Sequence, residues 1–151
     1  MINISACSEV MQDESQLPNS RIELIPSTIG SPDTIRGPTA DGWMAKEADE
    51  PYITIDFTGR DGASPSTLER LDFFGNLRTV YILVKTTLTG DFEQYMSGEP
   101  IDVTSGTISF AEGSDRGIPV YGLQIVPLQS IMSDLPYALR LKVYACISGR
   151  V

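Results

Sequence analysis

The chain has 151 residues, of which 41% are hydrophobic and 21% are charged, a balance typical of a domain that folds around one core. Its formal net charge of −9 disfavours DNA and RNA as partners, because their phosphates are repelled, and it weakens attraction to anionic lipid. We therefore expect one domain over 1–151 with no nucleic-acid partner, and membrane lipid ranks below glycan and protein as a ligand.

Eight short stretches predict strands, and in several of them apolar and polar residues alternate, as in strands that bury one face. The clearest is 52–57, where Ile53, Ile55 and Phe57 point to one side. Scattered glycines and prolines separate the stretches, as expected of turns. In chain order the predicted strands are 21–25, 52–57, 67–73, 78–85, 101–103, 107–110, 121–126 and 139–147.

Two further segments complete the prediction of the fold class. The stretch 78–85 has apolar residues on both faces, which predicts a central strand covered on both sides. The stretch 128–134 lies between Pro127 and Pro136 and predicts one short helical turn. About eight strands with almost no helix indicate an all-β fold, an antiparallel β-sandwich or jelly roll.

The chain has two cysteines, Cys7 and Cys146, which stand near its opposite ends. A disulfide between them requires Cα atoms about 4.4 to 6.8 Å apart, so it would make the first and last segments neighbours and indicate an oxidising compartment. Two unpaired thiols in a cytosolic domain are the alternative. The cysteine count alone does not decide between the two.

Three groups of residues resemble the discoidin family, the coagulation-factor C-type domains of the galactose-binding-like superfamily. They are an entry segment with Cys7, Met11, Leu17, Ser20 and Ile22; Trp43, Asp49 and the aromatic-led strand 52–57; and a closing pair, 122–128 and 138–146, that ends in Cys146. Gly90-Asp91-Phe92 stands where the family usually carries a serine, Asp-Gly and a tryptophan. The chain therefore resembles a divergent, discoidin-like member.

The resemblance implies several properties. It favours a disulfide between Cys7 and Cys146, a core position for Trp43, and an extracellular location as a module of a larger secreted protein. It also implies that the loops at the end opposite the termini form the recognition surface. We expect these loops to be 27–41, 58–66, 86–98 and 111–119.

The residue types present argue against catalysis. Histidine is absent, which removes the commonest general base, the serine triad and the usual zinc ligands. The sequence also holds neither a dinucleotide fingerprint nor a P-loop. We therefore expect a binding protein and not an enzyme.

The candidate binding residues lie in the predicted loops. Carboxylates and a guanidinium hydrogen-bond sugar hydroxyls, and exposed rings stack on sugars; the alternative for both rings is a partly buried position in a strand. Acidic loops also supply the oxygen ligands that calcium prefers, although solvated turns remain the alternative. The ligand-binding candidates are Asp33, Arg36, Asp41, Phe92 and Tyr95, and the calcium candidates are Asp33, Asp41, Asp49 and Asp61.

Two hypotheses about function follow. In the first, the chain is an extracellular recognition or adhesion module that binds a glycan or glycoprotein through its distal loops, with calcium as a possible cofactor. In the second, it is a structural module that contacts a protein of the same secreted assembly and has no small ligand. An exposed aromatic ring beside convergent polar side chains would favour the first hypothesis.

Overall fold

The computed structural model describes residues 10, 17–25, 35, 42–46, 48, 50–59, 62–110, 117–131 and 136–147. These residues form two antiparallel sheets that enclose one apolar core, and the described part of the chain has no α-helix. The prediction of an all-β sandwich is confirmed.

The first sheet has six strands, and we call it the six-stranded sheet. Its strands are β1 (Ile22–Ile25), β3 (Tyr52–Asp56), β5 (Leu77–Lys85), β6 (Glu93–Gln94), β7 (Ile101–Asp102) and β10 (Gly122–Ser130). They lie in the order β1-β3-β10-β5-β6, and β7 also pairs with β5.

The second sheet has five strands, and we call it the five-stranded sheet. Its strands are β2 (Trp43–Ala45), β4 (Ser66–Gly75), β8 (Thr107–Ser109), β9 (Ile118–Val120) and β11 (Tyr137–Cys146). They lie in the order β2-β11-β4-β8, and β9 also pairs with β4. Short 3₁₀ turns occur at Asn19–Arg21 and Tyr95–Gly98.

Alternating residues of both sheets build the core between them. In β11, Leu139, Leu141 and Val143 are buried while their neighbours along the strand are partly exposed. Trp43 is fully buried, which confirms its predicted packing role. Burying such side chains from both sheets supplies the main favourable free energy of the fold.

All eight predicted strands are present, with ends that differ by a few residues. The sequence did not reveal β2, β6 and β9, because two or three residues are too few to show an alternating pattern. Tertiary pairing, and not local sequence, makes these short segments into strands.

The helical turn predicted at 128–134 is wrong where the structure describes it. Leu128 continues β10 as a strand to Ser130, and 132–134 lie outside the described residues. Pro127 pairs with Val80, and the register shifts immediately after it. A bulge at this point lets the strand continue past a residue that has no N–H to donate.

The two-sided covering predicted for 78–85 is also wrong. Val80, Ile82 and Val84 are buried as expected, and β5 does lie inside its sheet. Tyr81 and Leu83 point to the outer side and are only half-buried. Apolar residues therefore face solvent on the outside of the six-stranded sheet.

Asn76 holds the point where the chain crosses from one sheet to the other. Its amide nitrogen donates to the carbonyl oxygen of Pro136 at 2.8 Å, and its amide oxygen accepts from the N–H of Ala138 at 2.8 Å. Its backbone N–H donates to Ala138 and its carbonyl oxygen accepts from Ile131. One half-buried residue thus ties β4, β10 and β11 together.

We expect Asn76→Ala to lower the free energy of unfolding by about 2 kcal/mol, because it leaves backbone groups of Pro136 and Ala138 without their partners. Urea denaturation followed by circular dichroism measures the change. Gln129→Ala is the control, since Gln129 is exposed and its side chain makes one weak contact of 3.3 Å with Thr79; we expect less than about 0.5 kcal/mol. Equal effects of the two substitutions would contradict the role of Asn76.

Candidate functional site

Strand pairing determines which loops lie at each end of the sandwich. Cys146, the last residue of β11, pairs with Thr67 at the start of β4. In the other sheet, Asp56 at the end of β3 and Lys85 at the end of β5 both pair with Gly122. Because the loop between β3 and β4 joins these ends, all five residues lie at one end, which we call the Cys146 end.

Two of the predicted recognition loops therefore lie on the wrong side. The loop 58–66 follows β3, and the segment 86–98 follows β5, so both begin at the Cys146 end. The expectation that they lie far from Cys146 is wrong. The direction of the preceding strand decides where a loop lies, and the sequence does not give that direction.

The neighbouring strands of the other two predicted loops point to different ends of the sandwich. Pro119, in the loop 111–119, pairs with Thr67 and so lies towards the Cys146 end, while residues 111–116 lie outside the described part. The loop 27–41 follows Ile25, which ends β1 on the side that points away from Cys146. Of the four loops, 27–41 is the one that leaves its strand towards the opposite end, which we call the distal end.

A small cavity of about 70 Å³ lies at the distal end, lined by Phe73, Val103, Thr104 and Ile131 among others, with polar and apolar groups in similar share. Ligand pockets are rarely smaller than about 300 Å³. This cavity is therefore too small to be a sugar site by itself.

Asp102 braces a turn beside that cavity. Its carboxylate accepts hydrogen bonds from the hydroxyl of Thr104 at 2.6 Å and from the Thr104 N–H at 2.8 Å. These bonds lower the pKa of Asp102 below its ordinary value of 3.8. The folded state therefore favours the ionised carboxylate. The hydrogen bonds stabilise the turn fully at pH values above the ordinary pKa, and this stabilisation is lost as the pH falls through the lowered pKa.

Most of the sequence-predicted site residues lie outside the described residues. These are Asp33, Arg36, Asp41, Asp49, Asp61 and Cys7. Their roles in binding sugar or calcium stay predictions. Within the described ranges, no group of three or more acidic, cysteine or histidine side chains is arranged to hold a metal ion.

The two predicted aromatic candidates are both placed. Tyr95 is half-buried, packs against the core and meets Phe110 with ring centroids 5.0 Å apart. Phe92 is also half-buried, and an atom at the Cβ position of Gly122 would lie 3.0 Å from its ring. The structure brings Tyr95 into the packing, whereas Phe92 lies over a glycine on the outside of β10.

The outer side of the six-stranded sheet holds two aromatic residues that the sequence analysis did not select. Tyr52 in β3 and Tyr81 in β5 are both half-buried and point away from the core. The sequence signal is an aromatic residue at an outward position of each strand, because a solvated sheet normally carries polar residues at such positions.

The N-terminal segment reaches β11 at one described point. The N–H of Val10 donates to the carbonyl oxygen of Val143 at 2.8 Å, and both side chains are fully buried. Cys146 is exposed at the end of the same strand, and the described residues include no free cysteine. Its predicted partner, Cys7, lies outside the described residues.

Among the described residues, no helix is long and apolar enough to cross a membrane. No protein-family model matches the sequence, and no curated protein sequence is similar enough to count as a relative.

Several solved structures share the fold. Wild-type discoidin II from Dictyostelium discoideum matches with a TM-score of 0.65 and 14% identity over 95% of this chain, which spans 60% of discoidin II. The F5/8 type C domain of a Bacteroides fragilis protein matches with a TM-score of 0.50 and 16% identity, over 92% of this chain and 88% of that domain. Chitosan-binding module 1 of a Paenibacillus chitosanase/glucanase has a TM-score of 0.50 and 14% identity, with 82% and 92% covered.

These matches confirm the discoidin-like fold expected from the sequence. At this level of identity they establish the fold and not the ligand. The chain therefore has the architecture of a divergent discoidin-like domain, and its function has to be argued from its own residues.

Proposed function

We propose that this protein is a non-catalytic, extracellular module of a larger protein that binds glycan through the loops of its distal end. The observation that supports the proposal is the direction of β1, which ends at Ile25 on the side away from Cys146, and the loop 27–41 follows it in the chain. That loop is rich in groups that hydrogen-bond sugar hydroxyls, including Asp33, Arg36 and Asp41.

Two further points support this proposal. The sequence has no histidine, so it lacks the residue most often used for proton transfer in catalysis. One solved structure with this fold is named as a chitosan-binding module, so a domain of this shape is compatible with recognition of a sugar polymer.

A disulfide between Cys7 and Cys146 is part of the proposal. The N–H of Val10 donates to the carbonyl oxygen of Val143, so the N-terminal segment contacts β11 three residues before Cys146. Cys7 lies three residues before Val10 in the chain, and the resemblance to the discoidin family implies its bond to Cys146. Such a bond fits an oxidising, extracellular compartment.

Calcium is the proposed cofactor of the same loops, through carboxylates drawn from Asp33, Asp41, Asp49 and Asp61. Calcium takes six to eight oxygen ligands, and loop carboxylates together with backbone carbonyls supply them. The ion would bind carboxylates of the same loop that carries Arg36.

A glycan array probed with the wild-type protein, with and without calcium, tests the proposed function. We expect binding to a defined set of glycans, and stronger binding with calcium. Arg36→Ala should weaken binding about tenfold or more, because a charge-assisted hydrogen bond is lost. Lys142→Ala removes an equal charge from the outer side of β11 and is the matched control.

Three outcomes would count against the proposal. Absence of binding to any glycan, together with capture of a protein of the same assembly, would favour a structural module instead. Equal binding by Arg36→Ala and the wild type would exclude the loop 27–41 as the contact. Equal binding with and without calcium would remove the cofactor.

Thiol labelling of the denatured protein tests the disulfide. We expect no maleimide adduct before reduction and two adducts after it, and we expect reduction to lower the melting temperature. In the chain-entropy description, closing so long a loop stabilises the fold by roughly 5 kcal/mol at most. Two adducts without reduction would contradict both the bond and the argument for an oxidising compartment.

A further inference from the structure

We infer that the outer side of the six-stranded sheet is a second carbohydrate-binding surface, which binds an extended, neutral polysaccharide chain. We call it the aromatic face and define it by Tyr52, Tyr81 and Phe92. The inference rests on the proposed function for the class of ligand, but its residues lie on a sheet and not in the loop 27–41.

The first part of the aromatic face is a row of side chains that crosses four strands. Ile25 pairs with Tyr52, and Val126 pairs with Tyr81. Ile53 pairs with Ile125 in antiparallel strands. The next residues along the two strands, Tyr52 and Val126, are therefore neighbours as well. Since neighbouring strands lie about 4.8 Å apart, the two tyrosines stand about 10 Å apart with an aliphatic residue between them.

The third ring lies further along β10. Gly122 points to the same outer side as Val126, because residues an even number apart in a strand share a face. The Phe92 ring covers Gly122, with the Cζ and Cε1 atoms 3.0 and 3.1 Å from the position of a Cβ. Four residues of strand separate Gly122 from Val126, a distance of about 13 Å.

A second row of side chains lies between the rings, and most of its members carry hydrogen-bonding groups. Pairing aligns Thr54 with Gln124, the aliphatic Leu83 follows on β5, and the exposed Glu23 and Gln94 extend the row on either side. The Gln124 amide nitrogen donates to the Thr54 hydroxyl at 3.3 Å, which leaves the amide oxygen available.

This arrangement matches the chemistry of a sugar chain. A sugar ring presents C–H groups that pack on an aromatic ring and hydroxyls that bond to amides and hydroxyls, and tyrosine supplies both kinds of contact. Several rings spaced over one flat face fit a chain of sugars better than a single terminal sugar.

The charge of the molecule selects among possible occupants. Glu23 is exposed at the β1 side of the aromatic face, Asp56 at the β3 side lies 3.8 Å from Arg21, and the net charge is −9. An anionic polysaccharide or a second copy of this chain would be repelled. A neutral polysaccharide meets no such penalty, so we commit to that occupant.

The outer side of the five-stranded sheet provides the contrast. There, the only outward tyrosine of β11, Tyr144, is already covered by Arg70, whose guanidinium carbon lies 4.0 Å from the ring centroid. Asp72 pairs with Arg70 at 3.1 Å and accepts from Thr107 at 3.0 Å. These groups bind one another, whereas the rings of the aromatic face lie beside polar groups that retain hydrogen-bonding capacity.

Affinity gel electrophoresis in gels that contain galactomannan, xyloglucan or hydroxyethyl cellulose tests the inference. We expect at least one of these neutral polymers to retard the wild-type protein. Tyr52→Ala and Tyr81→Ala should each raise the apparent dissociation constant about tenfold. Tyr144→Ala, on the other sheet, should bind as the wild type does.

Arg36→Ala separates this inference from the proposed function. Normal retardation of Tyr52→Ala and Tyr81→Ala, with loss in Arg36→Ala, would overturn the aromatic face and retain the distal loops. Loss in the tyrosine variants with normal binding by Arg36→Ala would support the aromatic face alone. Failure of all three polymers to retard the wild-type protein would overturn the inference, whether or not the array shows binding to other glycans.

A second measurement uses the unmodified protein and does not depend on the stability of the variants. Tetranitromethane nitrates accessible tyrosines, and mass spectrometry of peptides locates the products. The retarding polymer should protect Tyr52 and Tyr81 and leave nitration of Tyr144 unchanged. Equal nitration of Tyr52 and Tyr81 with and without the polymer would overturn the inference.

Discussion

The structure depends on the crossing between the two sheets at Gly75 and Asn76. Gly75 has φ +138°, and a Cβ there would lie 2.1 Å from the carbonyl oxygen of Ala138, so only glycine fits the close approach of the backbones. Asn76 then bonds to three segments from both sheets. This junction fixes the relative positions of β4 and β5 on the two sides of the core. It thereby determines which side chains of each sheet face outwards.

The two outer faces that result differ in chemistry. On the five-stranded sheet, Arg70 pairs with Asp72 and covers the ring of Tyr144. On the six-stranded sheet, Tyr52 and Tyr81 hold apolar area at the surface, where burial against a partner would be favourable. Because these rings project from a sheet and not from a loop, their backbone positions are set by strand pairing.

Alternation along the chain predicted the sandwich and the position of Trp43, because both depend on local periodicity and burial. It missed β2, which is made a strand by its pairing with β11. The prediction that β5 is covered on both sides was wrong. An apolar outward residue such as Tyr81 gives the same sequence pattern whether another layer covers it or it belongs to a binding surface. The loops 58–66 and 86–98 were placed at the wrong end because strand direction follows from non-local pairing.

The central claim is that the second carbohydrate-binding surface lies on the outer side of the six-stranded sheet and not on that of the five-stranded one. Chemical-shift mapping of the ¹⁵N-labelled protein, with an oligosaccharide cut from a polymer that retards it, tests this claim most directly. The account predicts that the amide signals of Thr54 and Gln124 shift with the ligand while those of Lys142 and Thr107 do not. Shifts confined to Lys142, Thr107 and their neighbours, or no shift at Thr54 and Gln124, would contradict it.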